Sequence, residues 1–135
     1  MMAIDYGERR IGLALSDPTR TIASPAGHIA RRLGKRPPIA EIIRRALEAE
    51  VEEFVIGLPL DGEGNETPRC AEVRVIGEKL GERTGFPVRL VDERFTTAAA
   101  LRAIQEMGGS TEGRKGDVDA LAATILLRHA LSLPG

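Results

Sequence analysis

A chain of 135 residues supports one domain built on one core and is too short for two lobes closing on a cleft. With 19 basic and 20 acidic side chains its formal charge is −1, which supplies no overall attraction for nucleic acid, and one Tyr, three Phe and no Trp argue against binding single strands on an aromatic stacking platform. The lone Cys70 excludes an internal disulfide and predicts a reducing, cytoplasmic compartment; no apolar stretch reaches membrane-spanning length, and no basic leader with a cleavage site is expected.

In chain order, Met1 to Tyr6 reads as a short buried strand, Gly7 to Arg9 as a turn, and Arg10 to Ser16 as a second strand ended by Asp17-Pro18. Ile22 to Ile29 is a weaker third strand, and Pro25 inside it predicts an edge position or an interruption. The period then changes. Pro38 to Glu50 carries Ile39, Ile42, Ile43, Ala46 and Leu47 at helical spacing. Glu53 to Gly57 is a buried strand and Leu58 to Glu66 a Gly-rich loop. Thr67-Pro68 is an N-cap followed by proline at the first helical position, opening a helix to about Gly81. Pro87 to Val91 is the fifth strand; Thr96 or Thr97 caps a helix through about Met107; Gly108 to Gly116 is a loop; Asp117 to Leu131 is the last helix. The order βββαβαβαα predicts an α/β domain over 1–135 whose five-stranded mixed sheet has the order 3-2-1-4-5 and is flanked by helices. Strands 2 and 3 would be antiparallel, strands 4 and 5 parallel to strand 1. Ligands in such sheets gather at the carboxyl ends of the parallel strands, where strand order switches.

Acidic residues sit at those ends. Asp5 closes the first strand, and its plain structural explanation is an acid opening a turn. In Asp92-Glu93-Arg94, alternation along a strand turns one acid toward a shared site and the other away; the longer stem of Glu93 makes it preferred, against a surface ion pair with Arg94. Asp117 and Asp119 are about 200° apart around a helix and cannot both point at one site. Asp119 shares a face with Ala122, Ala123 and Leu126, while Asp117 fits an N-cap. Carboxylates brought together at buried strand ends need a cation between them, and an all-oxygen set favours Mg²⁺ or Mn²⁺. That points to metal-dependent phosphoryl chemistry. His28, His129 and Cys70 show neither metal-ligand spacing nor an activating neighbour, and the Gly108–Lys115 run follows a helix with Arg114 in the lysine place, so it is no phosphate loop. The couplets Arg31-Arg32 and Arg44-Arg45 read as solvated surface.

Ile4-Asp5-Tyr6-Gly7-Glu8-Arg9-Arg10-Ile11-Gly12-Leu13-Ala14 resembles the opening strand-turn-strand of the YqgF (RuvX) family, Holliday junction resolvase-like proteins also regarded as pre-16S rRNA nucleases. The resemblance continues through Gly57-Leu58-Pro59-Leu60, Asp92-Glu93-Arg94-Phe95-Thr96-Thr97, Lys115 and Val118-Asp119-Ala120, in the family's order over nearly the whole chain. The loop Asp61-Gly62-Glu63-Gly64-Asn65 departs from it in being more acidic, and Asp117 adds an acid beside the usual position. The resemblance implies an RNase H-like fold with catalytic and metal-binding acids at Asp5, Glu93 and Asp119. Two Mg²⁺ or Mn²⁺ ions would clamp a scissile phosphate, with Asp5 bridging them. Arg9, Arg94 and Lys115 would position neighbouring phosphates. The implied substrate is structured nucleic acid, pre-rRNA being favoured and branched DNA the alternative. A rival reading is a catalytically silent nucleic-acid-binding or ribosome-assembly module of the same fold. Asp5-Tyr6-Gly7 also resembles the phosphate hairpin of actin-like ATPases, which need a second lobe that this chain is too short to hold.

Overall fold

The computed structural model describes residues 1–7, 9–31, 36–93 and 115–133, with the side chains of 115–119 outside that description. The elements are β1 (Met2–Tyr6), β2 (Arg10–Ser16), β3 (Ala23–Ala30), α1 (Ile39–Glu48), β4 (Phe54–Leu58), α2 (Pro68–Thr84), β5 (Val88–Asp92) and α3 (Lys115–Ser132). The strands form one five-stranded sheet in the order β3-β2-β1-β4-β5. β1 pairs antiparallel with β2 and parallel with β4; β2–β3 is antiparallel and β4–β5 parallel, as the sequence pattern predicts. Pro25 lies in β3, an edge strand, where a missing N–H leaves no ladder partner stranded. Asp17 builds the β2–β3 connection: its carboxylate accepts from the N–H groups of Thr21 and Ile22, both at 2.8 Å, and from the Thr19 hydroxyl.

Period-two alternation sorts the strands into two faces. Met2, Ile4 and Tyr6 of β1 and Phe54 and Ile56 of β4 join Ile42 and Ala46 of α1 and Val73, Ile76 and Leu80 of α2 in one core. Ala3, Ala14, Val55 and Val91 lie on the opposite face beneath Ala123, Leu126, Leu127 and Ala130 of α3. Small residues on both sides of this second core let α3 come close to the sheet. The guanidinium of Arg89, near the start of β5, donates to the carbonyl of Ala130 near the end of α3 at 3.2 Å. α3 therefore runs back along the sheet, and its first turn lies toward the carboxyl ends of the strands. Among the described residues no helix is long and apolar enough to cross a membrane.

Several boundaries differ from the sequence reading. Leu47, assigned to the buried stripe of α1, is 57% exposed, because the stripe drifts around the helix by its last turn. α2 passes through Gly81 and stops at Gly85, whose φ of 75° is the left-handed cap glycine supplies without strain. α3 starts at Lys115, so Lys115 and Gly116 are helical rather than loop and Asp117 lies inside the first turn rather than at the N-cap. The expected helix from Thr96 or Thr97 to Met107 and most of the following loop lie outside the described residues, as does Arg94.

Candidate active site at the carboxyl edge of the sheet

Asp5 stands on the α3 face of β1, one residue past buried Ile4 and two past Ala3. Its partner across β2 is Gly12. On the other side, the parallel register Ile4↔Ile56 continues to Gly57 of β4. The carboxylate is thus flanked on both neighbouring strands by residues with no side chain.

Glu93 arrives from the far side of β4. Its N–H donates to the carbonyl of Leu58 at 3.3 Å, which carries the β4–β5 ladder one residue past β5 and preserves the alternation. Val91 packs under α3, so Glu93 returns to that face and Asp92 does not. Of the two acids, Glu93 is therefore the one on the face that carries Asp5. Its side chain lies across Gly57: a Cβ built there would sit 3.0 Å from the Cβ of Glu93 and 2.3 Å from Oε2. The carboxyl thereby crosses β4 and meets Asp5. Its Oε2 is withdrawn from solvent. Burial pushes the Glu93 carboxyl up to about 9, helped by a hydrogen bond with Asp5 and by that acid's negative charge, and partly offset by Arg69. The pair therefore retains a proton well above the ordinary carboxylate range.

Position 119 stands four residues before Ala123 and seven before Leu126, on the stripe by which α3 packs against this face. Its backbone is at the end of α3 that approaches the carboxyl edge. Among the described residues no group of three or more His, Cys, Asp or Glu gathers as a metal site; the described acids here are the pair Asp5 and Glu93.

Of the three basic residues singled out from sequence, Arg9 is exposed on the β1–β2 turn, Lys115 is placed by its backbone at the start of α3, and Arg94 lies outside the described residues. Arg69 went unnoticed. It is the second residue of α2, and its positive charge is felt by both Glu93 and Tyr6. The signal was present in the sequence: a helix following a parallel strand starts at the carboxyl edge, so a cation in its first turn is carried to the site. Arg31 corrects a second assignment. It is not solvated surface but has a side chain only 16% exposed. Its guanidinium donates to the Gly7 carbonyl at 2.6 Å, pairs with Glu72 at 3.2 Å and covers the Tyr6 ring at 4.1 Å. Arg44 does sit on the surface, paired with Glu41 and Glu48.

A family model described as "RuvX: Holliday junction resolvase" matches residues 1–133. A protein of Clavibacter michiganensis subsp. michiganensis is 38% identical over 130 residues, 96% of this chain and 81% of its own length. One from a Roseiflexus species is 38% identical over 131 residues, covering 97% and 92%, and one from a Nocardioides species 39% identical over 133 residues, covering 96% and 85%. All three are named "Putative pre-16S rRNA nuclease". Among solved structures, T. thermophilus RuvC in complex with a Holliday junction substrate superposes with a TM-score of 0.54 at 15% identity, covering 97% of this chain and 94% of that one. The Thermus thermophilus RuvC structure gives 0.52 at 17% identity, with the same coverage. At those identities the likeness speaks for the fold, which is RNase H-like.

Proposed function

Because the chain belongs to the RuvX Holliday junction resolvase family, we propose that it is a divalent-metal-dependent nuclease hydrolysing phosphodiester bonds in structured nucleic acid. The observation that carries this reading is the meeting of Asp5 and Glu93 across Gly57 at the sheet's carboxyl edge. Two carboxyls gathered in a partly buried trough, one of them holding a proton, are stable as an acid pair only until a cation replaces that proton. Their oxygens are the hard donors that Mg²⁺ or Mn²⁺ takes. Asp5 and Glu93 would hold the metal, with Asp119 as the third acid. Bound there, the ion would polarise the scissile phosphate and bring a water toward ionisation at neutral pH.

The protein's own residues do the rest. Glu93 and Asp5 share a proton whose place a bound cation would take. Gly57 leaves room over β4 for Glu93 to reach Asp5, and on the β2 side Gly12 puts no side chain beside Asp5. Arg69, Arg9, Arg94 and Lys115 orient the strand through flanking phosphates, contacts that position without reading sequence.

The names of the relatives favour RNA, pre-16S rRNA in particular; maturation of its 5′ end in the cytoplasm is the role we propose. The family's description favours a four-way DNA junction as the second reading. Matched RNA and DNA substrates, including a four-way junction, incubated with Mg²⁺ or Mn²⁺ distinguish them. Cleavage should require metal and vanish in Asp5→Asn, with the fold intact. Asp119→Ala should lose far more turnover than Asp117→Ala, whose place in the first turn of α3 is worth about 0.3–1 kcal/mol of stability through the helix dipole. A folded Asp5→Asn protein with full activity would remove the carboxylate pair from the chemistry. Binding without cleavage of any substrate would leave the silent module.

A further inference from the structure

A glycine inside a central strand is costly: it brings no side chain to the core and loses more conformational freedom than any other residue. β4 lies between β1 and β5, and its other four residues are Phe54, Val55, Ile56 and Leu58. The backbone at Gly57 does not require glycine, since its φ is not positive. What requires it is the neighbour. The built Cβ would fall 2.3 Å from Oε2, 3.1 Å from Cδ and 3.0 Å from Cβ of Glu93, so the whole side chain lies against this position.

We propose that Gly57 is a positioning residue for the metal-binding pair: by having no side chain, it holds open the lane through which Glu93 crosses β4 to reach Asp5. The inference rests on the nuclease reading above, in which that pair holds the metal. The sharpest contact is with the far end of a flexible side chain, and the contact with its Cβ needs only a few tenths of an ångström of give. A methyl group at 57 therefore leaves the fold standing and drives the carboxyl out of the lane. Swinging outward also relieves the crowding of two acids, so the metal-depleted protein loses nothing by it.

Calorimetric titration of the full chain with Mn²⁺ alone, beside melting of the metal-depleted protein, tests this. Gly57→Ala should melt at or above the wild-type temperature and bind Mn²⁺ about tenfold or more weakly, the usual scale for losing support of a ligand. Glu93→Gln should lose affinity as well, and adding Gly57→Ala to it should cost nothing further, because the glycine acts through Glu93. Gly77→Ala is the control: its Cβ meets Val88, Ile56 and Leu90 at 3.4–3.8 Å, ordinary contact, and Mn²⁺ affinity should not change. Wild-type affinity in Gly57→Ala, a further loss of affinity on Glu93→Gln, or a Gly57→Ala protein that fails to fold would each overturn the inference. Wild-type affinity in Glu93→Gln would instead overturn the assignment of Glu93 as a ligand, and the role of Gly57 with it.

Discussion

Glu93 keeps its proton far above the ordinary carboxylate range because burial penalises its charged form and Asp5 stands beside it. That makes it a stability statement. The folded protein binds this proton more tightly than the unfolded chain, so this group's contribution to stability without metal is fully present below the ordinary value of 4.5 and is lost as pH rises toward about 9. The decline is at most about 1.4 kcal/mol per pH unit for one group. Denaturant midpoints measured between those limits in a chelator should fall with pH in the wild type. The fall should be shallower in Glu93→Gln, whose amide cannot ionise, and also when Mn²⁺ is added, since the cation takes the proton's place. A wild-type profile that rises with pH in chelator would contradict the buried acid pair. The same residue shows why Asp92 is not its equal. Their chemistry is alike, but one faces α3 and the trough and the other the opposite side.

Among the elements, the β1–β2 hairpin carries Asp5, and it is held by more than its own ladder. Arg31, just past the end of β3, reaches the turn carbonyl of Gly7, the ring of Tyr6 and the carboxylate of Glu72 on α2. Three elements meet in one guanidinium. Arg31→Ala should therefore cost about 2–3 kcal/mol, combining a charged hydrogen bond with a cation–π contact in a mostly covered site. Arg31→Lys should recover part of it, keeping charge but not the fork. Urea midpoints with unchanged slope would show this, and a change within ±0.5 kcal/mol for the alanine variant would mean the contacts contribute nothing net. α3 belongs to the same scale. Its alanines set how near it comes to the sheet, and its direction, pinned by Arg89 and Ala130, takes its first turn toward the carboxyl edge.

For the molecule as a whole, a net charge of −1 means that nucleic acid must be attracted by the arrangement of cations and not by their sum. Arg9, on the β1–β2 turn, and Arg69, at the start of α2, belong to the two elements that border the carboxylate edge; Lys115 starts the helix whose first turn approaches it. Arg44 is occupied by Glu41 and Glu48 on the outer face of α1. With Ca²⁺ present to suppress cleavage, replacing Arg9, Arg69 or Lys115 by Gln should weaken binding across sequences. Each should lower the magnitude of d log K/d log [salt] by about 0.7 for single strands or 0.9 for duplex. Arg44→Gln should leave both unchanged. The reverse pattern would mean that nucleic acid approaches over α1, whatever the carboxylates do.

The sequence by itself determined the sheet. Apolar runs of strand length, one stripe of helical spacing and Thr67-Pro68 are local signals, and chain order with right-handed crossovers leaves few ways to arrange them. It also placed Asp5 and Glu93 at strand ends, because a strand's end is legible in the residues around it. What the tertiary structure decided depends on contacts between segments far apart in the chain. The choice of Glu93 over Asp92 needed the ladder to run one residue past β5. The purpose of Gly57 needed a side chain from another strand lying across it. Arg31 left the surface because its partners lie 24 and 41 residues away, and no periodicity records such a distance. Arg69 joined the site through the direction of α2. Periodicity reports which face a residue takes within its own element; only packing reports what that face meets.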